Sequence, residues 1–89
     1  YAAFAPTKAG QRILAQSIAR EAGPKGVHVA YITIDAVIDL RWTRKRYPDK
    51  PDDFFIKPDE IADEVFHVAN QSRGAWSFDV EIRPHAENW

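Results

Sequence analysis

The first part of the chain repeats small and apolar residues at the spacing of a helix. These residues form two neighbouring rows, which are Phe4, Ala9, Ile13 and Ser17, and Leu14, Ile18 and Ala22. Recurrence at intervals of three and four residues predicts a helix over residues 7–22. Pro6 fits its first turn, where a missing N–H costs nothing, and the turn formers at residues 23–26 end it.

An almost continuous apolar run over residues 27–34 follows this helix. A run rich in β-branched residues with no polar face predicts a strand that is covered on both sides, as in a parallel sheet. Residues 35–39 are expected to leave the strand as a loop. Residues 41–58 contain three prolines and many charges, so we expect a long loop, with a short helix or mobile segment at residues 40–46.

A second helix over residues 58–71 and a final strand over residues 75–83 complete the pattern. The apolar positions of the strand alternate with polar ones and are Trp76, Phe78, Val80 and Ile82. The order helix–strand–loop–helix–strand predicts an α/β fold with parallel strands joined by a right-handed crossover. Because two strands do not make a stable sheet alone, further strands are expected from additional chain or from a partner.

Composition and charge exclude several kinds of function. The 12 Lys and Arg residues nearly balance the 13 Asp and Glu residues, so no basic excess favours nucleic acid. The chain has no cysteine, and its scattered histidines form no metal-binding pattern. No apolar run approaches the roughly 20 residues that span a bilayer. We therefore expect a cytoplasmic protein that binds no metal, no nucleic acid and no membrane.

Five short motifs, in order along the chain, resemble those of the carboxyl-terminal half of the short-chain dehydrogenase/reductase family. The family's Tyr-x-x-x-Lys spacing falls on Phe4-Ala5-Pro6-Thr7-Lys8, and the helix continues in a family-like pattern to Glu21. Gly26-Val27-His28-Val29 is similar to the family's Gly-Ile-Arg-Val. Residues 35–40 stand where the family has Pro-Gly-x-x-x-Thr, and residues 58–62 resemble its Pro-Glu-Glu-Ile-Ala. Each motif is weak alone, but their common order and spacing indicate ancestry.

The resemblance implies the carboxyl-terminal part of a Rossmann-like doubly wound parallel sheet. It also implies an oxidoreductase that uses NAD or NADP on a small carbonyl or alcohol substrate, with Lys8 holding the nicotinamide ribose and residues 40–57 covering the substrate. The residues that would flank the nicotinamide are Asp35, Ala36, Val37 and Ile38. Because the chain begins with Tyr1 and not Met, we expect residues 1–89 to be a partial domain of a longer protein.

The sequence departs from the family at the catalytic tyrosine. Phe4 stands at that position and has no ionisable group, although a positioned general acid or base contributes roughly 10²–10⁴-fold to a rate. Tyr1 lies nearby and is a second candidate for the hydroxyl role, although it is three residues off the motif spacing. The family's glycine-rich phosphate loop is also missing from these residues, so we expect neither activity nor tight dinucleotide binding from this chain by itself. The alternative is a catalytically degenerate family member that acts as a binding or oligomerisation module.

Apolar surface on the first helix and on the final strand predicts self-association. The first helix carries more apolar side chains than one sheet face needs, and the final strand presents an apolar face beside a sheet edge. Exposed edges and patches of this kind drive association, and the resemblance implies that the long helix packs against its twin. We therefore expect a homo-oligomer that forms through the helix 7–22 and the strand 75–83.

Overall fold

The computed structural model describes residues 4–86, so Tyr1, a candidate proton donor, lies outside the described residues. The helices are α1 (Phe4–Ala22), α2 (Arg41–Arg46) and α3 (Pro58–Ala69). The strands are β1 (Tyr31–Ile34), β2 (Val37–Ile38), β3 (Phe55–Ile56) and β4 (Asp79–Ile82). Short 3₁₀ turns lie at Gly23–Lys25 and Asp52–Phe54.

The strands form two small parallel sheets. β1 pairs with β4, from Tyr31 opposite Asp79 to Ile34 opposite Ile82, and β2 pairs with β3. Parallel strands cannot be joined by a tight turn, and α3 lies in the long connection between them. The chain is thus a mixture of helix and strand compatible with an α/β class, and the predicted parallel pairing of the strands on either side of the second long helix is confirmed.

β1 and β4 are shorter than the strands expected at residues 27–34 and 75–83. Before the backbone ladder begins, side chains join the two segments. The rings of His28 and Trp76 stack with centroids 4.7 Å apart, and His28 Nε2 donates a hydrogen bond to the carbonyl of Ser77 at 2.8 Å. Stacking and side-chain hydrogen bonds therefore replace the first rungs of the expected ladder.

α1 lies antiparallel to β1 and contacts it with one face. The chain reverses at Gly26, whose φ of 86° is in the left-handed region that favours glycine. Further along, Arg12 donates to the carboxylate of Asp79 at 2.7 Å, and the hydroxyl of Tyr31 donates to the carbonyl of Lys8 at 3.3 Å. No residue of α1 is buried, so the opposite face of this long helix is open.

The segment expected to be mostly loop contains regular structure. The expectation is wrong at β2 and β3, which pair with each other, while the short helix expected at residues 40–46 is α2. Phe55 and Ile56 of β3 are 2% and 8% exposed and join Val68 in the core of the described residues. Burial of β3, which local periodicity does not reveal, contributes to the order of this charged and proline-rich segment.

The hydroxyl of Thr43 joins α2 to β2 by hydrogen bonds. The side chain is buried, and its hydroxyl donates to the carbonyl of Ile38 at 2.6 Å and accepts from the N–H of Leu40 at 2.8 Å. The hydroxyl thus serves a free N–H at the start of the helix and a carbonyl at the end of the strand. A buried hydroxyl with both roles filled stabilises its surroundings.

Replacing this hydroxyl by a methyl group tests its contribution. Thr43→Val keeps the shape but leaves the Ile38 carbonyl and the Leu40 N–H without their partner, so we expect the free energy of unfolding to fall by about 1–3 kcal/mol. Thr43→Ser retains the hydroxyl and is the matched control. Urea denaturation measures both, and an equal loss in the two variants would contradict the role of the hydrogen bonds.

Candidate functional site

Phe4 and Lys8 lie one turn apart at the amino end of α1. Both side chains are exposed, and the Lys8 ammonium is 5.5 Å from the centroid of the Phe4 ring. Within residues 4–86, Lys8 forms no ion pair. The ammonium is therefore free to meet a polar group of a ligand, while the ring beside it offers only an apolar surface.

The amino end of α1 lies at the same end as the carboxyl end of β1. Tyr31 contacts Lys8 where β1 begins. From there β1 advances three residues to Ile34, about 10 Å, and α1 runs back four residues to Phe4, about 6 Å in the same direction. In open parallel sheets, ligands bind outside the carboxyl ends of the strands. The observed contact places the backbone of Lys8 beside Tyr31, the first residue of β1, and the turn from Lys8 back to Phe4 leads from there towards that edge.

Asp35 is the first residue after β1, and its surroundings join the two strand ends. Its N–H donates to the carbonyl of Ile82 at 3.0 Å, and its carboxylate is 3.9 Å from Nε of Arg83, the residue that follows β4. The Arg83 side chain is 12% exposed and also pairs with Glu81. The backbone of Asp35 is therefore anchored to the end of β4, while its side chain is 56% exposed.

The other three residues that the resemblance assigns to the nicotinamide lie further from the edge. Ala36 is half-buried, and Val37 and Ile38 form β2. The prediction of a loop is wrong for this pair, because its backbone is in register with β3. Among the described residues, no hydrogen bond or ion pair joins Lys8 to residues 35–38, so the structure does not bring the two parts of the predicted site into polar contact.

A network of charges centred on Arg44 holds the segment between β1 and α3. Arg44 donates to both carboxylate oxygens of Asp39, at 2.6 and 2.9 Å, and to Asp52 at 2.6 Å. Lys57 also donates to Asp52, at 3.0 Å. The guanidinium lies 4.1 Å from the centroid of the Phe55 ring. We call Asp39, Arg44, Asp52 and Lys57 the Arg44 network.

The network shifts the protonation equilibria of its members. Hydrogen bonds from Arg44 lower the pKa of Asp39 and, together with those from Lys57, the pKa of Asp52. The same contacts raise the pKa of Arg44 and of Lys57. Sequence reasoning missed this network, because its partners are separated by five and eight residues and follow no helical or strand period.

Several cavities lie in the described part of the chain, and they differ in size and position. One of about 640 Å³ lies between β3, α3 and the end of β4. Several of its charged side chains already pair with neighbours, as Asp52 does with Lys57 and Asp53 with His85. A second, of about 340 Å³, lies beside the stacked rings of His28 and Trp76. A third, of about 310 Å³, lies between β2 and α2.

Within residues 4–86, no group of three or more His, Asp or Glu side chains is arranged to hold a metal ion. In the same range, no helix combines the length and the apolar character needed to cross a bilayer.

Comparison with known proteins does not assign the chain. No family model, no curated protein and no solved structure matches it. What the chain does is therefore inferred from its own residues and their arrangement.

Acid should weaken the Arg44 network. Asp39 and Asp52 have pKa values below the ordinary 3.8 in the folded state, so their stabilising effect is complete above about pH 4 and is lost as the pH falls through the lowered folded values. We expect Arg44→Gln to lower the free energy of unfolding at neutral pH and to lose that deficit in acid. Urea titrations between about pH 7 and pH 2.5 measure the difference.

Lys45→Gln is the matched control for this prediction. Lys45 is an exposed cation of the same helix and lies outside the network. Its removal should leave the pH dependence of the wild-type protein unchanged. A deficit in Arg44→Gln that stays constant across the whole pH range would contradict the role of the two carboxylates.

Proposed function

We propose that this chain forms the carboxyl-terminal part of an NAD(P)-dependent oxidoreductase of the short-chain dehydrogenase/reductase type, within a Rossmann-like doubly wound parallel sheet. The observation that supports the proposal is Lys8, an exposed cation near the amino end of α1 that forms no ion pair within residues 4–86, on a helix that contacts the parallel β1–β4 pair at Tyr31. The substrate would be a small carbonyl or alcohol compound. A two-stranded sheet is too small to be stable alone, so further strands would complete the unit.

The residues present fit one half of a dinucleotide. Lys8 would donate to the hydroxyls of the nicotinamide ribose, and the backbone of Asp35 and Ala36 would border the ring. The four glycines of the chain are dispersed and include no phosphate-binding turn, so the diphosphate would be held by residues that this chain does not supply. When bound, the nicotinamide supplies or accepts a hydride.

Phe4 limits the chemistry that the chain can perform. A carbonyl that accepts a hydride needs a proton on its oxygen, and a phenylalanine ring has none to give. Lys8 next to Phe4 would bind and orient, without a hydroxyl between it and the substrate. The proposed unit would therefore bind its ligands better than it turns them over, unless another group supplies the proton.

Restoring the hydroxyl tests this proposal. In the complete unit, Phe4→Tyr should raise NAD(P)H-dependent reduction of small aldehydes and ketones by roughly 10²–10⁴-fold. The gain should disappear in the double variant with Lys8→Met, because the ammonium would orient and activate the new hydroxyl. Absorbance of the reduced nicotinamide measures the rate across a panel of carbonyl compounds.

Phe66→Tyr is the matched control, since Phe66 is an exposed phenylalanine on α3 and gains the same hydroxyl away from Lys8. Calorimetry with NADH and NADPH tests binding separately from turnover. Failure of the complete unit to bind either cofactor would defeat the proposal. If Phe4→Tyr changes nothing while Tyr1→Phe abolishes reduction, the proton comes from Tyr1 and the assignment of position 4 is wrong.

A second candidate function, assembly, is favoured by the open face of α1. Ile13, Leu14 and Ile18 are 57%, 62% and 47% exposed, and such contiguous apolar surface marks an interaction site. The apolar side chains of the 75–83 segment are half-buried, so the helix contributes more open surface than the strand. A homo-oligomer with α1 at the contact would cover this face, whether or not the unit is catalytic.

Charged substitutions on this face test assembly. We expect sedimentation to give a mass above the 10.2 kDa of one chain, and Ile13→Asp or Ile18→Asp to shift it towards the monomer, because a carboxylate is costly to bury. Lys45→Asp adds an acid at an exposed position on α2 and should leave the mass unchanged. A well-folded wild-type monomer at micromolar concentration would contradict the oligomer.

A further inference from the structure

The cavity between β2 and α2 has an apolar wall that solvent reaches. Its lining includes the apolar or aromatic side chains of Val37, Leu40, Trp42 and Tyr47, and we call this space the α2 groove. Trp42 is 65% exposed and Leu40 is 40% exposed, so large apolar side chains line a surface and not a closed core. At about 310 Å³ the groove is at the lower end of the range of small-molecule sites, roughly 300–1,000 Å³. This size suits a ligand of one or two rings.

The lining of the α2 groove also includes a cation that forms no ion pair with the described residues. Four of the six residues of α2 are basic. Arg44 is neutralised by Asp39 and Asp52, whereas Arg46, which lines the groove, makes no ion pair with any residue from 4 to 86. Its guanidinium lies 5.9 Å from the ring centroid of Tyr47, beside the same wall. The groove thus combines aromatic walls with one unneutralised guanidinium.

We propose that the α2 groove binds a small aromatic carboxylate. The ring of the ligand packs on Trp42, whose flat side chain presents most of its surface to solvent, and the carboxylate pairs with Arg46, whose planar fork matches two carboxylate oxygens. The remaining cations of α2 attract the anion but do not select its shape. The larger cavity of about 640 Å³ is a poorer anion site, because acidic side chains such as Asp53, Glu60 and Glu64 line it.

A ligand of this kind also defines the substrate class of the proposed oxidoreductase, and this step rests on the proposed function. The α2 groove begins at Ala36 and Val37, directly after the residue that follows β1. A ligand held there would extend towards the carboxyl ends of the strands. The substrate would then be a carbonyl or alcohol compound that carries an aromatic ring and a separate carboxylate.

Direct binding of naphthoate to the protein without cofactor tests the inference. Calorimetry should detect binding of naphthoate, and naphthamide, which has the same rings without the charge, should bind at least 10-fold more weakly. Arg46→Gln should reduce naphthoate affinity at least 10-fold and remove the preference over naphthamide. Trp42→Ala should weaken both ligands, because it removes the surface on which the rings pack.

Lys45→Gln is the matched control, since it removes a neighbouring charge of α2 that does not line the groove. It should change naphthoate affinity less than 3-fold. Equal losses in Lys45→Gln and Arg46→Gln would show attraction by the general field and overturn the site, as would equal binding of naphthamide or no binding at all. Tighter binding of adenosine monophosphate than of naphthoate would assign the groove to a nucleotide phosphate and also overturn the proposal.

The same measurements separate this inference from the proposed oxidoreductase. Naphthoate binding that depends on Arg46, in a complete unit that binds neither NADH nor NADPH, would support the groove and defeat the enzyme. Cofactor binding without naphthoate binding would support the enzyme and overturn the proposed ligand of the α2 groove.

Discussion

Parallel pairing of β1 with β4 is the constraint from which the rest of the arrangement follows. Parallel neighbours cannot be joined by a tight turn, so residues 35–78 must travel from the carboxyl end of β1 back to the amino end of β4. Both strands then end at one edge, where Asp35 and Arg83, the residues that follow them, approach to 3.9 Å. α1 runs against β1 and brings its amino end to the same edge. The direction in which α1 runs past the strands therefore follows from strand direction, while the hydrogen bond at Lys8 is made with Tyr31 at the start of β1.

The Arg44 network joins separate parts of the long connection between β1 and β4. A segment with many charges and few apolar residues does not order itself by burial alone, and within residues 35–57 only Phe55 and Ile56 are both apolar and buried. Arg44 joins the end of β2 to the turn before β3 through two carboxylates while lying on Phe55. Because these carboxylates are occupied by Arg44, they do not neutralise Arg46. The same helix therefore supplies a structural cation and a cation available to ligands.

Features that are set by neighbouring residues could be predicted from the sequence, whereas features that depend on contacts between distant residues could not. α1, α3 and the alternation of β4 follow from local spacing, and the parallel direction of β1 and β4 follows from the helix between them. β2 and β3 are two residues long, too short to establish a period, and their pairing depends on Thr43 and Arg44. The neighbourhood of Lys8 could be predicted from topology, whereas the groove beside Arg46 could not, because it depends on which of four cations finds a carboxylate.

In the proposed oxidoreductase, the combination of Lys8 with Phe4 would separate ligand binding from proton transfer. Loss of a positioned acid removes roughly 10²–10⁴-fold in rate, which is about 3–5 kcal/mol of transition-state stabilisation. The interactions of an ammonium with a ribose are made in the ground state as well, so they survive that loss. A cofactor site with a cation and no proton donor, as proposed, would suit a unit in which the bound ligand stabilises a state of the assembly, and α1, which carries Lys8 near one end and the open apolar face along its length, would connect the two.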